Sequence, residues 1–224
     1  MALLAGRTLV VVDTETTGFD PVQGHEIIEV ASVAIEDGIL GREWSSLVRP
    51  SRPIPRDATA IHGITEAMTA VAPSAAEAAA RLREFCDAHA LGFHNVLFDL
   101  PFLQAMLRGA GQPPLLAPVI DSLGLARGLF GPGGNSLVAL ARRLELPAEV
   151  THRALGDART TARALLSLVD RWERERGGAS LEEVAAASLD QVRLSRRSRP
   201  PAATAAGPDL FEGLKPASLP GPPG

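Results

Sequence analysis

The 224-residue sequence lacks several features that mark specialised classes of protein. Its one cysteine, Cys86, cannot form an internal disulfide, and its place beside Phe85 in a helical pattern predicts a packed core thiol. No apolar run approaches the roughly 20 residues that a membrane span needs, and no charged start followed by an apolar segment indicates a secretion signal. We therefore expect a cytoplasmic protein.

Basic residues are not in excess either. The 22 Lys and Arg against 26 Asp and Glu give a formal net charge of −4. Proteins that coat long nucleic acids depend on neutralising many phosphates, so this charge argues against such a role. It leaves open a site that holds a short nucleic acid end. A hydrophobic content of 46% is enough for one domain with a sizeable core.

The first fifty residues have the pattern of a β-meander. Apolar, β-branched runs predict strands over residues 7–13, 26–35 and 39–48. Asp37 and Gly38 are typical of a tight hairpin turn between the second and third strands. A connecting loop that contains residues 61–65 is expected to follow.

The next part of the chain alternates helices with short strands. Ser74 and Glu77 predict a capping box for a helix over 73–86, whose stripe of Ala78, Leu82, Phe85 and Cys86 would face the sheet. Further elements are predicted as strands at 91–95 and 119–121 and helices at 97–107, 122–129, 135–144 (capped by Asn135) and 156–174. This order indicates an α/β fold with a mixed five-stranded sheet flanked by helices.

Composition predicts the boundaries of the domain. We expect the α/β domain to cover residues 1–176 and a short helix or connector to cover 177–194, where Ser180 and Glu183 form another capping box. Residues 195–224 are rich in Arg, Pro, Gly, Ala and Ser and lose apolar periodicity. That composition predicts a disordered tail.

Four acidic residues lie in largely apolar stretches of the sequence, where a charged side chain is not expected to be well solvated. Asp13 and Glu15 stand at the end of a strand that reads as buried on both faces, where a carboxylate is costly without a partner. Asp99 and Asp157 each lie near the start of a predicted helix. Four converging carboxylates would repel one another unless cations neutralised them. Carboxylate oxygens suit Mg²⁺ or Mn²⁺, and the chain has neither the thiolates nor the paired histidines typical of zinc sites.

Three motifs carry a family resemblance. Residues 13–18 (DTETTG), 94–99 (HNVLFD) and 152–157 (HRALGD) resemble the three motifs of the DEDD superfamily of 3′→5′ exonucleases. The His-x4-Asp spacing of the third motif is similar to the histidine-containing branch, which includes the proofreading epsilon subunit of bacterial DNA polymerase III. The resemblance runs from about Thr8 to Val169. It implies a ribonuclease H-like fold and a two-metal reaction that releases nucleoside 5′-monophosphates from a 3′ end.

The same resemblance implies a role for each motif residue. Asp13 would bridge both metal ions, Glu15 and Asp157 would complete the site that activates water, and Asp99 would hold the second ion directly or through water. His152 would act as the general base, since a free histidine can accept a proton near neutral pH. Its placement before a glycine-containing turn would permit movement toward the phosphate.

Four more residues are candidates for substrate binding: Thr16, Thr17, His62 and Asn95. Thr17 and Gly18 would let the backbone approach the terminal nucleotide. The resemblance places the His62 loop against that nucleotide, although His62 would equally suit a loop cap. His94 is expected to be a strand residue that supports the site rather than a ligand.

Other interpretations of the sequence remain open. Each motif alone also fits ordinary turn and cap residues, because short motifs recur by chance. An exoribonuclease that trims RNA 3′ ends would use the same metal site, and a non-catalytic polymerase or clamp adaptor would use only the fold.

The resemblance also suggests what the protein contacts. The implied substrate is a DNA 3′ end, single-stranded or frayed at a mismatch, and the implied partner is a DNA polymerase catalytic subunit, which would place the protein at the bacterial nucleoid when on DNA. In the tail, Asp209, Leu210 and Phe211 resemble the apolar end of a sliding-clamp-binding peptide.

Overall fold

The computed structural model describes residues 3–177 and 180–197. Its strands are β1 (Thr8–Thr16), β2 (Ile27–Glu36), β3 (Ile39–Leu47), β4 (Ala90–Phe93) and β5 (Val119–Asp121). Its α-helices are α1 (Arg56–His62), α2 (Glu66–Thr69), α3 (Ala75–Cys86), α4 (Val96–Gly109), α5 (Ser122–Phe130), α6 (Leu137–Arg143), α7 (Ala154–Arg176) and α8 (Leu181–Arg197).

The five strands form one mixed sheet in the order β3-β2-β1-β4-β5. The first three strands are antiparallel neighbours, while β1, β4 and β5 run parallel. Asp37 and Gly38 both have positive φ, at 52° and 77°, as the predicted tight hairpin turn requires. The α/β fold with a mixed five-stranded sheet is therefore confirmed.

The alternation of side chains along β1 divides the core into two layers. Leu9 and Val11 face α7, where they pack against Ala158 and Leu165. Val10 and Val12 face the opposite layer, which α3 and α4 cover. Both layers are buried, so the strand reads as a continuous apolar run rather than as an alternating one.

The first strand is longer than the sequence predicted. Pairing with β2 continues past residue 13 to the Thr16–Ile27 pair, with an irregularity between Glu15 and Thr16. Glu15 therefore lies within β1 and not after it, and Asp13 is not the last residue of the strand. The prediction ended the strand where the apolar run ends, but backbone pairing does not depend on apolar side chains.

Several predicted boundaries also need correction. Only part of the segment 61–65 is a connecting loop: α1 ends at His62, and residues 63–65 join it to α2, with Gly63 at φ 71° and Thr65 as the cap of α2. Ser136, not Asn135, caps α6 through its hydroxyl. His94 lies after β4 rather than within it. Helix α7 begins two residues before the predicted position, at Ala154.

The capped helix predicted within 177–194 is α8, which runs to Arg197 and thus three residues past the expected boundary. Ser180 and Glu183 form its capping box. Leu181, Val184 and Val192 are buried. Residues 198–224, with the tail prediction and the clamp-like segment 209–211, lie outside the described residues. Within residues 3–177 and 180–197 no helix is long and apolar enough to cross a membrane.

Candidate active site

The acidic cluster continues the core face of β1. Because side chains two apart on a strand share a face, Asp13 and Glu15 point to the same side as Val11, toward α7. There they meet Asp157, and one carboxylate oxygen from each of the three acids lies within 4.8 Å of the others. All three are partly buried. The predicted convergence is thus found for three of the four acids.

Asp157 is held by the first turn of α7 and by the turn that precedes it. Its Oδ2 accepts the backbone N–H of His152 at 3.1 Å. His152 is exposed and has φ 57°, a conformation that non-glycine residues seldom adopt. This bond fixes the His152 backbone against the acid five residues later.

Gly156 does not have the flexible role that the sequence suggested. It lies inside α7, and a Cβ there would stand 2.0 Å from the carbonyl oxygen of Val150. The glycine therefore permits the close approach of the turn that carries His152. The expectation of a glycine-containing turn after His152 is wrong, because the chain is already helical from Ala154.

Asp99 reaches the cleft from the opposite layer. It lies in the first turn of α4 and accepts the Thr14 backbone N–H at 3.0 Å and the Thr14 hydroxyl at 2.7 Å. Strand β4 pairs with β1 only as far as the Val11–Gly92 pair, so the Thr14 N–H has no partner on β4 and binds Asp99 instead. Asp99 is outside the three-acid cluster but lines the same cleft.

The cleft opens at the carboxyl ends of the parallel strands, where ligands bind in many open α/β sheets. It encloses about 500 Å³. The four acids and His152 line one part of it, with Thr14, His94 and Asn95. The remaining wall consists of Phe98, Leu123, Arg127, Ser136 and Leu137. The cleft therefore has an acidic part and a wall of apolar, polar and basic side chains.

Burial and mutual repulsion shape the electrostatics of the cleft. Burial, followed by repulsion from Asp99 and Asp157, raises the pKa of Asp13 well above its usual range. Burial, followed by repulsion from Asp157 and Glu29, raises the pKa of Glu15 to about 8.

The pKa values of the other two acids also rise, mainly through burial. That of Asp99 rises to about 7, although its hydrogen bonds from Thr14 oppose the shift. Burial also raises the pKa of Asp157, although the hydrogen bond from the His152 N–H opposes the shift. Carboxyl groups that resist ionisation together are suited to a divalent cation, whose charge removes the repulsion.

The predicted substrate-binding residues fall into different places. Asn95 lines the cleft, with φ 69° at the N-terminal boundary of α4. Thr16 donates to the Gly18 carbonyl at 2.6 Å, and the Thr17 hydroxyl accepts the Glu26 N–H at 2.9 Å. Both threonine hydroxyls thus shape the turn after β1.

His62 is buried at the end of α1. Its Nδ1 accepts the Ile64 N–H at 3.0 Å, so the neutral ring carries its proton on Nε2. Nε2 is buried and has no hydrogen-bond partner within the described ranges. Burial lowers the pKa of His62, which favours the neutral ring.

Sequence reasoning missed several polar residues around the cleft. Buried Asp121 ends β5, and its carboxylate accepts N–H groups at the starts of α4 and α5. Ser122 was also missed; its hydroxyl lies 2.8 Å from Nδ1 of His94, the residue expected to support the site, and burial lowers the pKa of His94 to about 4. Glu29 forms an ion pair with Arg153. Glu29 and Asp121 carried the same signal as Asp13, an acid in a buried strand.

Comparisons with known proteins agree with this geometry. The model of a family described as "Exonuclease" matches residues 10–165. The chain is 45% identical over 167 residues to a DNA polymerase III subunit epsilon-like protein of Rhodobacter capsulatus, covering 72% of this chain and 24% of that protein. It is 34% identical to the DNA polymerase III subunit epsilon of Rickettsia felis, covering 71% of this chain and 72% of that protein.

One solved structure is similar along nearly its whole length. Exonuclease X, solved in complex with 5′ overhanging duplex DNA, is 31% identical with a TM-score of 0.66, covering 80% of this chain and 99% of that one. The chain spans about a quarter or less of the length of the first curated relatives it matches, at 24% and 12%.

Proposed function

This chain belongs to the exonuclease family, and from that premise we propose that it hydrolyses DNA from the 3′ end and releases nucleoside 5′-monophosphates. The role we propose is that of an epsilon-type proofreading or DNA repair exonuclease. The observation that carries the proposal is the convergence of Asp13, Glu15 and Asp157 within 4.8 Å, in one cleft with Asp99 and His152. Buried carboxyl groups that repel one another do not stabilise the fold, so their convergence favours a role in metal binding and catalysis.

The family depends on divalent metal, and the clustered acids fit such an ion. We propose two ions, Mg²⁺ or Mn²⁺. Asp13 would bind both, Glu15 and Asp157 would bind the ion on the α7 side, and Asp99 would bind the second ion directly or through water. Bound ions would neutralise charge on the phosphoryl oxygens and lower the pKa of water.

The proposed role of His152 follows from its position. It is exposed at the cleft and its backbone is fixed to Asp157, so the ring can reach solvent while its attachment stays in place. In this role His152 accepts the proton of the attacking water. Asn95, which also lines the cleft, would donate a hydrogen bond to the terminal nucleotide. Thr16, Thr17 and His62 would act by shaping the adjoining turns.

The substrate and partner proposals rest on the relatives. Similarity to proteins named as DNA polymerase III epsilon subunits supports DNA as substrate and a polymerase catalytic subunit as partner, in a bacterial cytoplasm. The net charge of −4 suits an enzyme that relies on a partner to hold the DNA. The clamp contact through Asp209, Leu210 and Phe211 stays a prediction, to be tested by deleting residues 207–213 and measuring clamp binding.

Degradation of 3′-labelled substrates tests the proposal. Single-stranded DNA, matched single-stranded RNA and a duplex with a 3′ mismatch are each incubated with Mg²⁺, with EDTA, and with the Asp13→Ala variant. We expect metal-dependent release of mononucleotides, fastest from single-stranded or mismatched DNA and lost in the variant. A preference for RNA would reassign the protein to RNA trimming. A folded protein inactive on all three substrates would favour the non-catalytic adaptor.

A further inference from the structure

A half-buried ion pair joins the start of α7 to the sheet beside the acidic cluster. Arg153 donates to both carboxylate oxygens of Glu29, with Nη2–Oε1 at 2.6 Å and Nε–Oε2 at 3.0 Å. The Glu29 side chain is 6% exposed and that of Arg153 is 41% exposed. This two-pronged geometry restricts both side chains more than a single contact would.

Glu29 also caps α7 from a distance. The residue at the N-cap position is Arg153, which makes no side-chain cap bond of its own. Instead the Oε2 atom of Glu29 accepts the backbone N–H of Ala154 at 2.9 Å. One carboxylate on β2 thus satisfies a free N–H of the helix and binds the residue before it.

The position of this carboxylate relates it directly to the cleft. Glu29 is paired with Glu15 across the β1–β2 ladder. Arg153 follows His152, whose N–H binds Asp157. The ion pair therefore connects the strand beside Glu15 to the segment between His152 and Asp157.

We propose that Glu29 and Arg153 are positioning residues, whose ion pair holds His152 and Asp157 in register with Asp13 and Glu15 for the exonuclease reaction. This inference rests on the proposed function. Neither residue needs to touch metal or DNA, and neither lines the cleft. Arg153 has a second effect, because its positive charge offsets that of Glu29, which otherwise adds to the repulsion within the acidic cluster.

The same helix offers a matched control. Further along α7, Arg159 forms an equivalent two-pronged pair with Glu43 on β3, with Nη2–Oε2 at 2.6 Å and Nε–Oε1 at 2.9 Å. This control pair also ties α7 to the sheet, but it lies away from the first turn and does not line the cleft. If the Glu29 pair only anchors the helix, breaking either pair should change the activity by the same factor.

The test compares Glu29→Gln with Glu43→Gln in the full chain. For each we would measure the melting temperature, kcat and KM on single-stranded DNA at saturating Mg²⁺, and Mn²⁺ binding by calorimetry. We expect Glu29→Gln to lower kcat roughly 10- to 100-fold with KM changed less than about 2-fold, since small misplacement of reacting groups is costly. It should also weaken Mn²⁺ binding. Glu43→Gln should leave both unchanged.

Arg153→Lys separates geometry from charge. Lysine keeps the positive charge but cannot form the fork, so we expect it to lower kcat as Glu29→Gln does. It also decides the matter if Glu29→Gln fails to fold. Full kcat in a folded Glu29→Gln or Arg153→Lys protein, or equal losses in the Glu29→Gln and Glu43→Gln proteins, would overturn the inference. If the wild-type protein cleaves nothing, the proposed function fails, and Mn²⁺ binding still tests the positioning role.

Discussion

The two halves of β1 share one strand and one alternation of side chains but differ in chemistry. From Leu9 to Val12 every side chain is buried and apolar, and the two faces pack against helices on either side of the sheet. From Asp13 the same two faces continue with different residues. The α7 face now carries Asp13 and Glu15, while the α4 face carries Thr14, which binds Asp99.

The difference between the halves separates what stabilises the fold from what performs the chemistry. A fully buried aliphatic side chain contributes about 1.5 to 3 kcal/mol. A buried carboxylate destabilises the folded state instead, because it loses its hydration. This cost raises the pKa values of Asp13, Glu15 and Asp99. The apolar half holds the acidic half in place until a cation offsets the repulsion.

The largest effect should come from removing the central acid. Asp13→Asn keeps the size of the side chain but loses the charge that faces the other acids, so we expect exonuclease activity to fall by at least about 10³-fold, or roughly 4 kcal/mol. The protein should stay folded by circular dichroism. Asp57→Asn, a change at an exposed acid of α1, is the matched control and should keep full activity.

A stability measurement without metal should show the cost of the acidic half directly. A carboxyl group whose pKa is raised by folding favours the folded state below its usual pKa, and that contribution is lost as the pH rises through the folded-state value. With Glu15 at about 8 and Asp99 at about 7, the melting temperature in EDTA should fall by several degrees between pH 5 and pH 9.

Two additions sharpen this result. Mg²⁺ at pH 8 should raise the melting temperature again, because a ligand that binds only the folded state stabilises it. Asp13→Asn should flatten the pH dependence, because one of the repelling charges is gone. A melting temperature in EDTA that rises steadily over the same range would contradict the assigned burial of these acids.

The contrast within β1 also explains what could be predicted from sequence. Hydrophobic runs and turn residues predicted all five strands and the order of the meander, because apolar periodicity follows backbone geometry. The end of β1 was misplaced because Asp13 and Glu15 break the apolar run while the Thr14–Val30 and Glu15–Glu29 backbone pairs continue.

The candidate site was predictable only where residues repeat a known spacing. Asp13, Glu15, Asp99, His152 and Asp157 lie in three motifs, and the structure brings them to one cleft. Glu29 and Arg153 are 124 positions apart in the sequence, so no local pattern predicts that they form an ion pair. Gly156 was missed for a different reason, because its need for a missing side chain depends on how the nearby backbone at Val150 folds back onto α7, and spacing alone does not show that.

A smaller effect is expected from the apolar half. Val11→Ala removes two buried methyl groups from the layer between β1 and α7, and should lower the free energy of unfolding by about 2 kcal/mol. At a temperature where the variant is folded, kcat should stay within about 2-fold of wild type. Ile39→Ala, on an edge strand with the side chain 70% exposed, should change neither quantity. A large loss of kcat in Val11→Ala would mean that the two halves are not separable.

The smallest effect should come from behind the cleft, on α8. The hydroxyl of Ser188 accepts the Asp121 N–H at 3.0 Å and donates to the Ala185 carbonyl at 2.8 Å. Ser188→Ala leaves the buried Asp121 N–H without this acceptor, which should lower the free energy of unfolding by about 1 kcal/mol in denaturant titration. Asp121 also receives the N–H of Val96 at the start of α4, the helix that carries Asp99. If activity falls more than about 2-fold, α8 supports the position of Asp99; if it does not, the site is insulated from α8 by the sheet and α5.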